Sequence, residues 1–98
     1  MSMNRDKKII QGDTPLIGMN IKKLRQEHKM RYIDVVTQLQ LRGIELNTST
    51  LSKIEHGKAN PTTNLLIALS EIFQCDFNAF FQEKEEELKQ KEHHNKKI

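Results

Sequence analysis

The stretch N-T-S-T-L-S-K-I-E-H-G-K-A-N, Asn47 to Asn60, with Pro61 behind it, decides how the rest of the chain is read. Asn47 is a helix-capping type, because its side-chain oxygen can accept a hydrogen bond from an orphaned first-turn amide. Leu51 and Ile54 are the only large apolar residues of the stretch. Set three apart, they aim one narrow stripe at a core and leave Thr48, Ser49, Ser52 and Lys53 facing outward. Gly57 supplies the left-handed residue that ends a helix, and Lys58, Asn60 and Pro61 make a polar exit loop. A helix with two anchors and an outer face of hydroxyls and one lysine is poorly suited to burial. Such a face can hydrogen-bond the base edges and phosphates of a DNA major groove.

Working outward, composition limits what can support this helix. Ninety-eight residues with 36% apolar content allow one small core. Glycine and proline total six, tryptophan is absent and strand formers are sparse, so an all-α bundle is the natural class. The net charge is +3 and the pI about 9.1. Residues 1–82 hold eleven Lys and Arg against eight Asp and Glu, whereas residues 83–98 hold five of each, so the basic excess lies in the body. That balance suits a polyanionic partner. The single cysteine, Cys75, cannot form an internal disulfide and sits between Phe73 and Phe77, the setting of a buried thiol. No stretch approaches the length of a membrane span, and a cytoplasmic location is expected.

Residues 1–12 mix charge with one apolar pair and read as a flexible N-terminal arm in which Arg5, Lys7 and Lys8 could reach phosphates. A solvated terminus is the simpler reading. Helix 1 is expected to begin at Thr14, with Asp13 and Thr14 as capping types and Pro15 in the first turn. Ile17, Ile21, Leu24 and His28 make its buried stripe. Helix 2 is expected over Tyr32 to Leu41 or Arg42, with Ile33, Val35, Val36, Leu39 and Leu41 inward. Helix 4 follows Pro61 from Thr62 or Thr63 to Phe73, apolar over more than half its circumference, and reads as the central core helix. Helix 5 follows an Asp76 cap, with Phe77, Phe80 and Phe81 at helical spacing. Residues 83–98 form a charged tail with acids leading and bases trailing, which suits a helical extension carrying Leu88. The adjacent His93 and His94 lack metal-ligand spacing.

Thr50, Leu51, Ser52, Ile54, Glu55, Gly57 and Pro61, in this order and spacing, resemble the third helix and following loop of Xre or phage-repressor (Cro-like) helix-turn-helix proteins. The resemblance runs from about Ile17 to Phe81. It implies a compact five-helix, lambda-repressor-like domain over residues 13–82, with double-stranded DNA as partner and a homodimer as the acting form. It also implies that Arg25 pairs with Glu55, pinning helix 1 against helix 3. The same resemblance places Arg31 and Tyr32 where relatives carry Ser or Thr and Gln, at the first turn of helix 2 that touches the DNA backbone. Both can donate to phosphate.

From the helix itself, Thr48, Ser49 and Lys53 are expected to read base edges, with Thr50 shared between base and core. Asn47, Ser52 and His56 complete that surface, and Lys58 and Asn60 are expected to hold phosphates. The family alignment departs at L-R-G-I-E-L, Leu41–Leu46, a connector longer than the usual turn of roughly three to four residues. An extra helical turn is expected there, with Ile44 and Leu46 plugging the core. Val36 also stands where the family has alanine, which implies a wider contact between helices 2 and 3.

No convergent catalytic groups, phosphate-cradling glycine loop or metal-ligand spacing is present, so neither an enzyme nor a cofactor or small-molecule site is expected. The competing reading is a helical protein-interaction module, an antitoxin or adaptor that keeps the fold without specific DNA binding. The missing family glutamines and the acidic block Glu83 to Glu87 favour it.

Overall fold

Leu51 and Ile54 are the pivots of the structure. Both are buried in a short helix, Thr48–Glu55, that lies between two longer ones and contributes little else to the core. The computed structural model describes residues 16–83. Four α-helices run in the order α1 (Leu16–Glu27), α2 (Tyr32–Leu41), α3 (Thr48–Glu55) and α4 (Thr63–Ile72), followed by a 3-10 turn at Phe77–Phe81. Helix α3 packs on α1 and α2, α2 also meets α4, and the 3-10 turn closes over α1 and α4.

The core draws on every element: Ile17 and Ile21 from α1, Val35 and Leu39 from α2, the α3 pair, then Leu65, Leu66 and Leu69 from α4. Phe73 and Phe80 are its largest members. Each such side chain stabilises the fold by about 1.5–3 kcal/mol through burial, and helices this short depend mainly on such packing to stay folded.

Caps explain the boundaries. Asn47 Oδ1 accepts from Thr50 N at 2.7 Å, and Thr62 Oγ1 from Leu65 N at 3.0 Å. At α2 the cap is reversed: Asp34, in the first turn, accepts from the backbone N–H of Arg31 at 2.7 Å. All four α-helices end in the same way, with paired hydrogen bonds back to carbonyls three and five residues earlier. These are Lys29 and Met30, Gly43 and Ile44, Gly57 and Lys58, and Gln74 and Cys75. This is the Schellman closure, which needs a left-handed residue after the helix. Gly43 and Gly57 provide it without strain, at φ 82° and 76°. Lys29 and Gln74 provide it at φ 55° and 53° despite their Cβ atoms.

Several sequence expectations are corrected. His28 is exposed instead of buried: it follows the end of α1, its Nδ1 donates to Leu24 O at 2.9 Å, and its ring lies 5.4 Å from that of Phe73. Ile33 and Leu41 are not inward: they are 49% and 75% exposed, because only the side of α2 carrying Val35 and Leu39 meets α3 and α4. The connector holds no extra helical turn. It leaves α2 through Arg42 and Gly43 and runs on without helix to the Asn47 cap, while Ile44 and Leu46 do pack against the core. The fifth helix is a single 3-10 turn of five residues, in which Phe80 is buried and Phe81 is 40% exposed. The Thr14 cap, Pro15, the arm and the tail from residue 84 lie outside the described residues.

Candidate nucleic-acid interface

Helix α3 exposes what its two anchors do not use. Leu51, Ile54 and Glu55 face inward, and at 100° per residue the opposite side carries Ser49, Ser52, Lys53 and His56. Thr48, Ser49, Lys53 and His56 are exposed, and Thr50 and Ser52 half-buried. Among the described residues, the side chains of Thr48, Ser49, Thr50, Ser52 and Lys53 make no hydrogen bond or ion pair within the chain. Their donors and acceptors are therefore free for another molecule. His56 is tied down in part: its Nδ1 donates to Ser52 O at 2.7 Å, leaving Nε2 for outside contact. Asn47 uses its oxygen as the cap and keeps its Nδ2 amide unpaired beside Thr48. Lys58 is exposed and unpaired just past the Gly57 closure. Asn60 is half-buried and already has a partner in the chain.

The inner side of α3 is fixed by charge. Arg25 Nε donates to Glu55 Oε2 at 2.7 Å and Nη2 to Oε1 at 3.2 Å, a two-pronged grip on a carboxylate with no exposed side-chain surface. A third Arg25 donor, Nη1, reaches Met30 O at 3.0 Å. The hydrogen bond to Glu55 holds the Arg25 guanidinium above its ordinary pKa, against burial, which pulls the other way. The Tyr32 ring lies 4.2 Å from the guanidinium carbon, and its hydroxyl donates to Glu55 Oε1 at 3.1 Å. The hydroxyl proton of Tyr32, expected from the sequence to reach phosphate, is turned inward to Glu55 in this structure. Arg31 pairs with Asp34 through Nε and Nη2, both at 3.1 Å, but its side chain is 79% exposed and Nη1 is uncommitted. Such an exposed pair is weak and opens easily.

Two positioning residues escaped the sequence reading. Gly18 lies where α1 crosses α3, and a Cβ there would collide with Ile54 O and stand 2.7 Å from Glu55 O. Asn20 is buried, and its Nδ2 donates to Phe80 O at 2.9 Å and Gln82 O at 2.8 Å, fastening the 3-10 segment to α1. Nothing in a helical pattern separates this asparagine from a solvated one. The glycine signal was available, since a glycine inside a helix costs about 1 kcal/mol and invites a packing reason.

Among the described residues all three arginines sit in ion pairs, the third being Arg42 with Glu71 at 3.2 Å. The lysines Lys22, Lys23, Lys29, Lys53 and Lys58 have no such partner. Cys75 is half-buried, and desolvation together with the neighbouring Asp76 charge pushes its thiol pKa up, away from reactivity. No helix among the described residues is long and apolar enough to cross a membrane.

A capped, outward-facing helix pinned by an arginine–glutamate pair is the arrangement that the sequence resemblance implied. The sequence model of the helix-turn-helix family matches residues 21–80, more than half of the chain. The chain belongs to the Xre/Cro-like helix-turn-helix family. This is a family of DNA-binding regulators, and in this helix-turn-helix protein α2, the connector and α3 form the motif. No curated protein and no solved structure matches it.

Proposed function

We propose that this helix-turn-helix protein binds double-stranded DNA sequence-specifically as a small transcriptional regulator, acting as a repressor by occupying promoter DNA. The observation that carries this reading is the unspent polar face of α3, held rigidly from behind by Leu51, Ile54 and Glu55. The N-terminal half of α3 enters the major groove, where Thr48, Ser49 and Lys53 read base edges. Arg31 Nη1, Lys58, Asn60 and the Asn47 amide hold phosphates on either side, which sets register without reading sequence. One domain of this size buries little surface, so a homodimer engages two half-sites about one DNA turn apart, roughly 34 Å.

A specific observation favours a second reading, a protein-interaction module without specific DNA binding. Tyr32, at the position where relatives touch the DNA backbone, spends its donor inside the protein. Selection from random duplex DNA at two salt concentrations separates the two. Enrichment of a sequence with a steep salt dependence supports the regulator, whereas no enrichment and a flat salt response supports the module.

A further inference from the structure

The connector builds a concavity that the functional reading leaves unused. A groove of about 680 Å³ opens between the outer flank of α2 and residues 45–48, immediately beside the start of α3. Ile33, Val36 and Leu46 supply its apolar walls, and Thr48, on its edge, also belongs to the polar face of α3. Ile33 is 49% exposed in a position where the neighbouring core has no use for it. Glu45 lies on the rim, exposed and without an ion pair among the described residues.

These features select an occupant by charge and by continuity. The Glu45 carboxylate repels phosphate, and among the described residues no Lys or Arg lines the groove to offset it. The part of duplex DNA that is uncharged and apolar is the C5-methyl group of thymine, which projects into the major groove and marks A·T pairs. Since Thr48 is shared by groove and recognition surface, DNA on α3 brings major-groove edges to the groove mouth.

Building on the DNA-binding reading above, we propose that the Ile33–Val36–Leu46 groove receives thymine methyl groups, making Ile33 a specificity-determining residue outside the recognition helix. The connector, by carrying Leu46 and Glu45 forward, is what creates the site.

The test replaces thymine by deoxyuridine, one position at a time, in duplexes recovered by selection with the full chain. Removing one buried methyl is expected to weaken wild-type binding about fourfold at one or two positions per half-site. Ile33→Ala, at an exposed position, should fold normally and lose that sensitivity while keeping its response to base changes opposite Lys53. Restoring the methyl as 5-methyldeoxycytidine against guanine at the same position should recover part of the affinity for wild type alone. Uniform indifference to deoxyuridine overturns the inference. So does an Ile33→Ala protein with an undiminished deoxyuridine penalty, or one whose change is loss of self-association, which would make the groove an interface between copies. Failure of selection to yield any duplex overturns the DNA reading as well, and is recognisable because wild type then binds nothing.

Discussion

Glu55 Oε1 accepts from Arg25 Nη2 and from the Tyr32 hydroxyl, at 3.2 and 3.1 Å, so one buried oxygen ties together α1, the start of α2 and α3. Arg25→Met keeps the bulk and removes the charge. It strands a fully buried carboxylate and is expected to cost about 3–5 kcal/mol in urea unfolding. Tyr32→Phe removes one bond and should cost about 1 kcal/mol, with DNA affinity per folded molecule unchanged. A loss of affinity without a loss of stability would return Tyr32 to the phosphate backbone.

The crossing at Gly18 leaves no room for a methyl group. Gly18→Ala must push α3 away from α1, because the colliding atoms are backbone carbonyls of Ile54 and Glu55 that cannot swing aside. Overpacking of this kind is expected to cost about 1–3 kcal/mol. It should also reduce DNA affinity at temperatures where the variant is fully folded, measured by circular dichroism beside a mobility shift.

Two helices are closed by residues that pay a steric penalty at positive φ, Lys29 and Gln74. Glycine there should relieve it, and each of Lys29→Gly and Gln74→Gly is expected to stabilise the fold by about 0.5–1 kcal/mol. The same change at an ordinary helical position, such as Gln26, should destabilise by a similar amount. Thermal melts of the three variants give the comparison.

The Arg31 guanidinium, then its backbone N–H, hold the Asp34 carboxyl below its ordinary value of 3.8. A carboxyl more acidic in the folded chain than in the unfolded one contributes stability that is complete above 3.8 and fades as pH falls through the lower folded value. Asp34→Asn should therefore be less stable than wild type at neutral pH, with the gap closing in acid. Urea midpoints for the two proteins, taken near pH 7 and near pH 3, read this directly.

Lys53 and Lys58 are expected to behave differently on DNA although both are exposed and unpaired. Lys53→Ala should weaken binding to the preferred sequence and relax choice at one or two base pairs, by about 1–3 kcal/mol. Lys58→Ala should weaken all sequences alike and lower the salt slope by about one unit. Parallel titrations on selected and scrambled duplexes at several salt concentrations distinguish them.

The sequence disclosed α3 in full because capping chemistry, the Leu51–Ile54 spacing and Gly57 all act within a few residues of one another. The long core helix was legible for the same reason. What escaped it depends on partners distant in the chain. In α2, apolar residues point in nearly every direction, and only the approach of α4 decides that Val35 and Leu39 are covered while Ile33 and Leu41 are not. Tyr32 was read from its place in a family pattern, but its donor is captured by a carboxylate twenty-three residues away. The phenylalanine spacing at Phe77, Phe80 and Phe81 fits an α-helix as well as a 3-10 turn, and only the end of the core shows which.

All three arginines among the described residues pair with an internal carboxylate and none lies on the outward side of α3, which bears on the code that the proposed DNA surface would read. A guanidinium fork grasps both acceptors of a guanine at once and penalises any other base heavily. The outward side of α3 presents single hydroxyls, one flexible ammonium and the His56 Nε2 in its place, groups that more than one base can satisfy. On the DNA-binding reading proposed above, the expected targets of such a surface are a graded series of related sequences, each filled at its own protein concentration.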